Sequence, residues 1–167
     1  LELTTAARAL LDDQIFEWHK QAQGYKIRHV PATLPDMLKT NDMLEWEYTE
    51  HLGRTTQDAI DSARDRLDWM RGSNSDFEIV IAQHELESMC RSEGYYRTLS
   101  KNVRVQQIER IIELVDQLYP RMRVYVYDAR MLYSSPMTVF GPQLAVLYLG
   151  QNYMAFRDSK RIEGFSN

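Results

Sequence analysis

The stretch CRSEGYYRTLSKNVRVQ, residues 90–106, contains the residue types most suited to binding a ligand. Tyr95 and Tyr96 stand between Arg91 and Arg104, with further basic residues close by. Aromatic rings beside cations can form a pocket for a planar or anionic ligand. The alternative is an exposed loop whose arginines lay their aliphatic stems along the surface. These four residues are therefore candidate ligand-binding residues, and both interpretations stay open.

The histidines and the single cysteine do not form a metal-binding or catalytic pattern. No pair of histidines has the helical spacing of a zinc protease, and QHELESMC places one His and one Cys six residues apart without a second pair. We expect no metal ion and partly exposed histidines at the ends of elements. A thiol nucleophile at Cys90 would need a nearby cation and an orienting base. A buried, inert cysteine is the expectation here.

Acidic residues near predicted strand ends are the remaining candidates for chemistry. Glu85 follows a strand predicted at 77–83, and Asp128 ends a strand predicted at 122–128. Ligand sites of open sheets lie at such strand ends, although Glu85 could equally cap a short helix. The sequence contains no dinucleotide-binding or phosphate-binding glycine loop and no serine nucleophile elbow. We expect no enzymatic activity and no cofactor, with a small enzyme using Glu85, Asp128, Cys90 or the polar stretch 91–104 as the alternative.

The composition sets limits on the class of protein. The 167 residues favour one main domain with a sizeable core. The net charge of −4 argues against contact between this chain itself and a nucleic-acid backbone. No apolar run approaches the ~20 residues of a membrane span, and no secretory leader is visible. A single cysteine agrees with a reducing compartment, so a cytoplasmic location is expected. Leu1 is not a natural start, so we expect a fragment of a longer chain.

Residue periodicity predicts helices and one short strand in the first half of the chain. A helix over 4–23 would take Thr4 or Thr5 as its N-cap, and we expect it to be a linker. A strand is predicted at 25–31, followed by an extended proline segment. Two further helices are predicted at 41–52 and 56–71, the second with a capping box formed by Thr55 and Asp58.

The second half of the chain predicts a mixed sheet. A strand, a helix over 107–119 and another strand indicate a parallel pair with a right-handed crossover. Tight turns then imply an antiparallel meander of strands at about 136–140, 144–149 and 152–157. The fold class expected is α/β to α+β, in which N-terminal helices precede a mixed sheet with one βαβ crossover and a C-terminal antiparallel meander. We expect residues 1–24 to be a linker helix and 25–167 to be one domain.

The meander should extend the sheet of the parallel pair and divide its side chains between two faces. Four apolar residues are expected on one buried face: Val139, Val146, Leu147 and Met154. Tyr148 and Tyr153 are expected on the other face or on a partner surface.

Several stretches, taken in order, resemble one protein family. They are VPATLPDMLKTNDML (30–44), RDRLDWM (64–70), FEIVIAQHEL (77–86), RVQQIERIIELV (104–115), RVYVYD (123–128) and SPMTVFGPQLAVLYLGQNY (135–153). Together they resemble the C-terminal regulatory domain that follows a lambda-repressor-like (XRE-type) helix-turn-helix in bacterial transcription regulators. The matching positions are Pro35, Leu38, Thr40, Arg64, Arg66, Glu85, Gln106 or Gln107, and Phe140.

The resemblance implies a sensor and dimerisation domain without catalytic residues. It adds Phe140 to the candidate ligand-binding set of Arg91, Tyr95, Tyr96 and Arg104. The partners it implies are a second copy of the chain and a small-molecule effector, with DNA contacted only by a separate N-terminal domain. A family glycine is absent from PATLPDMLKT, which departs from the pattern there. The alternatives are a small enzyme, or a purely structural interaction module that uses the tyrosines of the meander.

Overall fold

The computed structural model describes residues 2–5, 8–49, 55–132, 134–149 and 152–167, with side chains described from residue 14 onward. Its strands are β1 Glu2–Thr5, β2 Ile27–Val30, β3 Phe77–Ala82, β4 Met122–Tyr127, β5 Met137–Phe140, β6 Leu144–Leu149 and β7 Asn152–Phe156. Its α-helices are α1 Arg8–Gln21, α2 Asn41–Glu47, α3 Thr56–Gly72, α4 Gln83–Arg91, α5 Lys101–Leu118 and α6 Ser159–Ser166. Short 3₁₀ turns lie at Asp36–Leu38 and Gly94–Tyr96.

Within the described residues, seven strands form one mixed sheet in the order β1-β7-β6-β5-β2-β3-β4. Strands β3 and β4 are parallel, and β5, β6 and β7 form the antiparallel meander, which joins the parallel part through β2 and β5. The predicted fold class is confirmed. Strand β2 is also parallel to β3, so a second crossover, through α2 and α3, precedes the predicted one.

The first strand corrects the prediction for the start of the chain. Thr4 and Thr5 do not cap a helix, because Glu2–Thr5 pairs antiparallel with Asn152–Ala155 of β7. Helix α1 begins only at Arg8 and places Trp18 in the same core as the sheet. Strand β1 becomes the edge of the sheet by pairing with β7, which is distant in sequence. Helical periodicity carries no information about such pairing.

Helices α2, α3 and α5 follow their predicted positions with changed ends, whereas the sequence did not predict α6. Helix α5 begins at Lys101 because the Ser100 side chain accepts a hydrogen bond from the Val103 backbone N–H, so residues 101–106 of the stretch 90–106 are helical. Thr55 occupies the N-cap of α3, but its hydroxyl donates to the Asp58 carboxylate instead of capping the backbone. The end of the helix predicted at 41–52, which included His51 and Leu52, lies outside the described residues.

The large core lies on one face of the sheet. Helices α1 to α5 pack their apolar side chains there against inward residues of the strands, including Ile27, Ile79 and Phe140. Tyr148 and Tyr153 also belong to this core face, which corrects the prediction that they face outward. Val146 lies on this face as well, whereas Leu147 next to it faces the opposite side, because consecutive side chains of a strand alternate.

The opposite face of the sheet is covered only in part. Helix α6 packs Ile162 and Phe165 over Val139, Ala145 and Phe156 to form a small second core. Away from α6, apolar residues on this face are half-buried or exposed: Val30, Val80, Tyr125, Leu147 and Met154.

Candidate functional site

Three positions of the family resemblance, Leu38, Thr40 and Gln107, meet in one buried region between α2 and α5. The Gln107 side-chain oxygen accepts from the Thr40 backbone N–H at 2.8 Å, and its amide nitrogen donates to the Leu38 carbonyl at 2.8 Å. The Thr40 hydroxyl in turn accepts from the Met43 backbone N–H and caps α2. Gln107 is therefore the glutamine that contacts the proline-containing segment, whereas its neighbour Gln106 is exposed.

A buried ion cluster follows directly along the same segment. The Lys39 Nζ is bonded to Asp36 at 2.7 Å and to Glu47 at 2.6 Å, and the side chains of Lys39 and Glu47 are 1% and 3% exposed. The second Asp36 oxygen accepts from the Tyr48 hydroxyl at 2.6 Å. One cation therefore serves two carboxylates, and such a cluster is stable only when each carboxylate has further donors.

Tyr95 and Tyr96 join this region through their hydroxyl groups. The Tyr95 hydroxyl donates to Glu47 at 3.1 Å, and the Tyr96 hydroxyl donates to Glu85 at 3.1 Å. Burial and the charge of Glu85 raise the pKa of Tyr96, so the phenol stays protonated. The Trp46 ring stacks on Tyr96 with centroids 6.0 Å apart. The polar ends of both tyrosines are thus bound to carboxylates of the protein.

The remaining candidate ligand residues are spread over three places. Arg91 is exposed and forms an ion pair with Glu87 at 3.8 Å. Arg104 donates to the Cys90 carbonyl and lines a groove of about 330 Å³ between α4 and α5. Phe140 is 1% exposed, and its ring packs on Trp18 in the core. The structure brings Tyr95 and Tyr96 together and leaves Arg91, Arg104 and Phe140 apart from them.

Cys90 is exposed at the end of α4, which corrects the expectation of a buried thiol. Its side chain faces the groove along α5, beside Lys101. The inward side of this helix is taken by Met89 instead, which is 1% exposed. Of the residues considered for an enzyme, Glu85 and Asp128 do not line this groove.

Asp128 and the family-matched arginines are engaged with neighbouring groups. A hydrogen bond from Arg130 lowers the pKa of Asp128 to about 2. Arg64 pairs with Asp61 on the exposed side of α3. Arg66 lies close enough to His19 and His29 for its charge to act on both rings. Among the described residues, no group of three His, Cys, Asp or Glu side chains could hold a metal ion.

Two histidines, both half-buried, lie on the core side of the sheet. The His19 ring packs edge-on against Phe140 at 5.0 Å, and burial lowers its pKa to about 3. His29 Nδ1 lies 2.7 Å from the Thr138 hydroxyl, and burial lowers its pKa to about 4. The Thr138 hydroxyl is also 2.7 Å from that of Tyr148. The sequence prediction did not include this network, although His29 lies two residues after the inward residue Ile27 and so on the same face of β2.

Three cations surround one carboxylate on the outer face of the sheet. Arg28, Glu78 and Arg123 are in register on β2, β3 and β4. Glu78 is bonded to Arg28 at 3.0 Å and to Arg123 and Lys26 at 3.1 Å. Burial acts to raise the pKa of Glu78, but the hydrogen bonds from Lys26 and Arg28 outweigh it and lower that pKa. These four side chains together carry a net positive charge, since three cations share one anion.

A pocket of about 360 Å³ opens beside these cations, beneath α6. Lys26 and Arg28 line it, together with the apolar side chains of Val139 and Ile162. The Arg28 guanidinium also donates to the Ser166 carbonyl at 2.8 Å. The lining combines two cations with apolar side chains, and it also includes the side chain of Glu163.

Comparison with known proteins gives little further information about this chain. No protein-family model matches it, and no curated protein sequence is significantly similar to it. A solved structure, that of TrmBL2, an archaeal chromatin protein described as showing a novel mode of DNA binding, is similar at a TM-score of 0.48 and 11% identity. The match covers 99% of this chain and 47% of the TrmBL2 chain, so this chain spans about half of that protein. This degree of similarity does not establish a shared function.

No helix in the described part of the chain has the length and apolar composition needed to cross a membrane.

Proposed function

We propose that this chain is the effector-sensing and dimerisation domain of a bacterial helix-turn-helix transcription regulator. The observation that carries the proposal is the contact of Gln107 with Leu38 and Thr40. These positions match the regulator family through loose and separate sequence motifs. Their meeting in one buried network supports a common origin of the motifs and a structural, non-catalytic use of them.

The proposed dimerisation follows from how such regulators bind DNA. Two helix-turn-helix units read two half-sites about one helical turn apart, so their attached domains must hold them together. The net charge of −4 agrees with a chain that does not itself contact the phosphate backbone. DNA would be bound by a separate domain of a longer protein in the cytoplasm.

The effector proposed is a small anion with an apolar body, bound beneath α6. Lys26 and Arg28 would contact its acidic group, while Val139 and Ile162 would contact its apolar part. The candidate residues chosen from the sequence are less suited to this role, because Phe140 is buried in the core and Arg91 and Arg104 lie in separate places.

Dimerisation can be tested in a reporter strain. The chain is fused behind a helix-turn-helix domain that occupies its operator only as a dimer. We expect the fusion to repress the reporter, whereas the helix-turn-helix domain alone does not. A fusion that is expressed and folded but leaves the reporter fully active would contradict the proposal.

Anion binding can be tested by NMR on the isolated chain, with inorganic phosphate and benzoate as probes. We expect amide shifts at residues 25–28 and 159–166 with benzoate and smaller shifts with phosphate, which lacks an apolar body. Arg28→Met should abolish them, and Arg91→Met, at the exposed position on α4, should not. Shifts that are equal in both variants would rule out this pocket.

A further inference from the structure

Helix α5 presents apolar side chains to the solvent at regular spacing. Val105, Ile112 and Tyr119 repeat every seven residues along α5 and at the residue after it, and they are 47%, 59% and 68% exposed. Residues seven apart lie on almost the same side of a helix, and this spacing is that of a helix that packs against a second helix. The inward side of α5 is already occupied by the core, with Gln107 and Leu114 fully buried. The exposed residues therefore form a second apolar side, here called the α5 stripe.

The charges of α5 are divided between its two halves. The first half, 101–110, has three cations, Lys101, Arg104 and Arg110, and one anion, Glu109. The second half, 111–118, has two anions, Glu113 and Asp116, and no cation. The halves thus carry net charges of +2 and −2. A second copy of α5 laid antiparallel on the first would place each positive half beside a negative one.

The groove between α4 and α5 lies at the first end of the stripe. It has a volume of about 330 Å³, and its apolar lining comes from Val105 and Ile108. Tyr119 lies at the other end, ~21 Å away at the rise of an α-helix. In an antiparallel pair with Ile112 on the two-fold axis, Val105 of one copy faces Tyr119 of the other. Each exposed Tyr119 ring then lies beside the groove of the other copy, so the two-fold pair contains this contact twice.

We propose that two copies of this chain associate through the α5 stripe, antiparallel and two-fold symmetric, with each Tyr119 in the groove of the other copy. This inference rests on the proposed function, because it names the surface through which the regulatory domain would dimerise. The contact is self-complementary in shape and in charge, as a two-fold interface requires. The partly uncovered outer face of the sheet is the competing surface and is distinguished by the experiment.

The test compares variants of the whole chain by sedimentation velocity. Ile112→Arg should raise the dimer dissociation constant by about 100-fold or more, because it buries an unpaired charge beside its own copy. Gln117→Arg is the matched control, since it adds the same charge at another exposed position of α5. Both variants should keep the wild-type thermal unfolding midpoint, which separates loss of association from loss of fold.

Cross-linking then tests whether Ile112 lies at the two-fold axis of the dimer. In a Cys90→Ser background, Ile112→Cys should give a covalent dimer with a short bis-maleimide, and Gln117→Cys should not. A wild-type dimer that survives Ile112→Arg but is dissociated by Tyr125→Arg, on the outer face of the sheet, would overturn the α5 surface and leave the proposed function intact. A wild-type chain that is monomeric at every concentration would contradict both.

Discussion

Gln107 on α5 and Thr40 at the start of α2 are joined by a hydrogen bond of 2.8 Å between a side-chain oxygen and a backbone N–H. The other end of the same amide donates to the Leu38 carbonyl. Gln107 is 0% exposed, so water cannot replace it at either backbone group. This one side chain binds backbone groups on both sides of Lys39, between the 3₁₀ turn Asp36–Leu38 and the start of α2.

We therefore expect Gln107→Leu to lower the free energy of unfolding by about 2–4 kcal/mol, since it leaves a buried N–H and a buried carbonyl without partners. Gln106→Leu, at the exposed neighbouring position, should change it by less than about 0.5 kcal/mol. Urea unfolding followed by tryptophan fluorescence measures both values. Equal effects of the two substitutions would show that the hydrogen bonds of Gln107 do not carry this stability.

The two adjacent glutamines also show what the sequence could predict. The spacing of Ile108, Ile111 and Val115 predicts the helix and its inward side. It leaves Gln106 and Gln107 undistinguished as family positions, because a polar residue carries no sign that it will be buried. Only the backbone groups of Leu38 and Thr40, which lie far away in sequence, give Gln107 its partners.

The same dependence on distant contacts explains why the sequence did not predict strand β1 or the pocket beneath α6. Thr4 and Thr5 suit a helix N-cap by residue type, yet they pair with β7 at the far end of the chain. Arg28, Glu78 and Arg123 have no distinctive spacing in the sequence and become a cluster only through the register of three strands. Elements with strong local periodicity were predicted well, and the sites that depend on distant pairing were not.

The buried cation Lys39 gives a second prediction. Lys39→Met should destabilise the chain by about 3–5 kcal/mol, because Asp36 and Glu47 would lose their shared cation inside the protein. Thermal and urea unfolding measure the loss. Lys20→Met removes a lysine that pairs with Glu17 on the surface, and it should cost less than about 1 kcal/mol.

A double-mutant cycle separates the ion pair from the packing of the lysine stem. Lys39→Met combined with Glu47→Gln should cost less than the sum of the two single substitutions, since one unpaired charge is removed. Simple additivity would mean that Lys39 and Glu47 are not energetically coupled.

Gly141 is the turn position at which a side chain should be least tolerated. Its φ of +53° belongs to the left-handed region, and an added Cβ would lie 2.5 Å from the Cβ of Tyr25. Gly141→Ala should lower the free energy of unfolding by about 1–3 kcal/mol. Gly72→Ala is the control, because a Cβ added at Gly72 would have no other atom within 4 Å and its helical backbone accepts alanine. A cost at Gly72 equal to that at Gly141 would contradict this account of the turn.

Because of His19 and His29, we expect the free energy of unfolding to fall as the pH decreases below about 6.5. Burial lowers the pKa of His29 to about 4 and that of His19 to about 3, so the unfolded chain binds protons that the folded chain does not. Their contribution is present above pH 6.5, the ordinary value, and is lost progressively toward the folded-state values. Each ring adds at most about 1.4 kcal/mol per pH unit to the slope.

Urea unfolding at a series of pH values between about 6.5 and 5 measures this slope before most carboxylates titrate. His29→Gln should reduce the slope, because one of the two described rings whose pKa the fold lowers is then absent. If His29→Gln and the wild type gave the same slope, the His29 ring would not be held neutral by the fold.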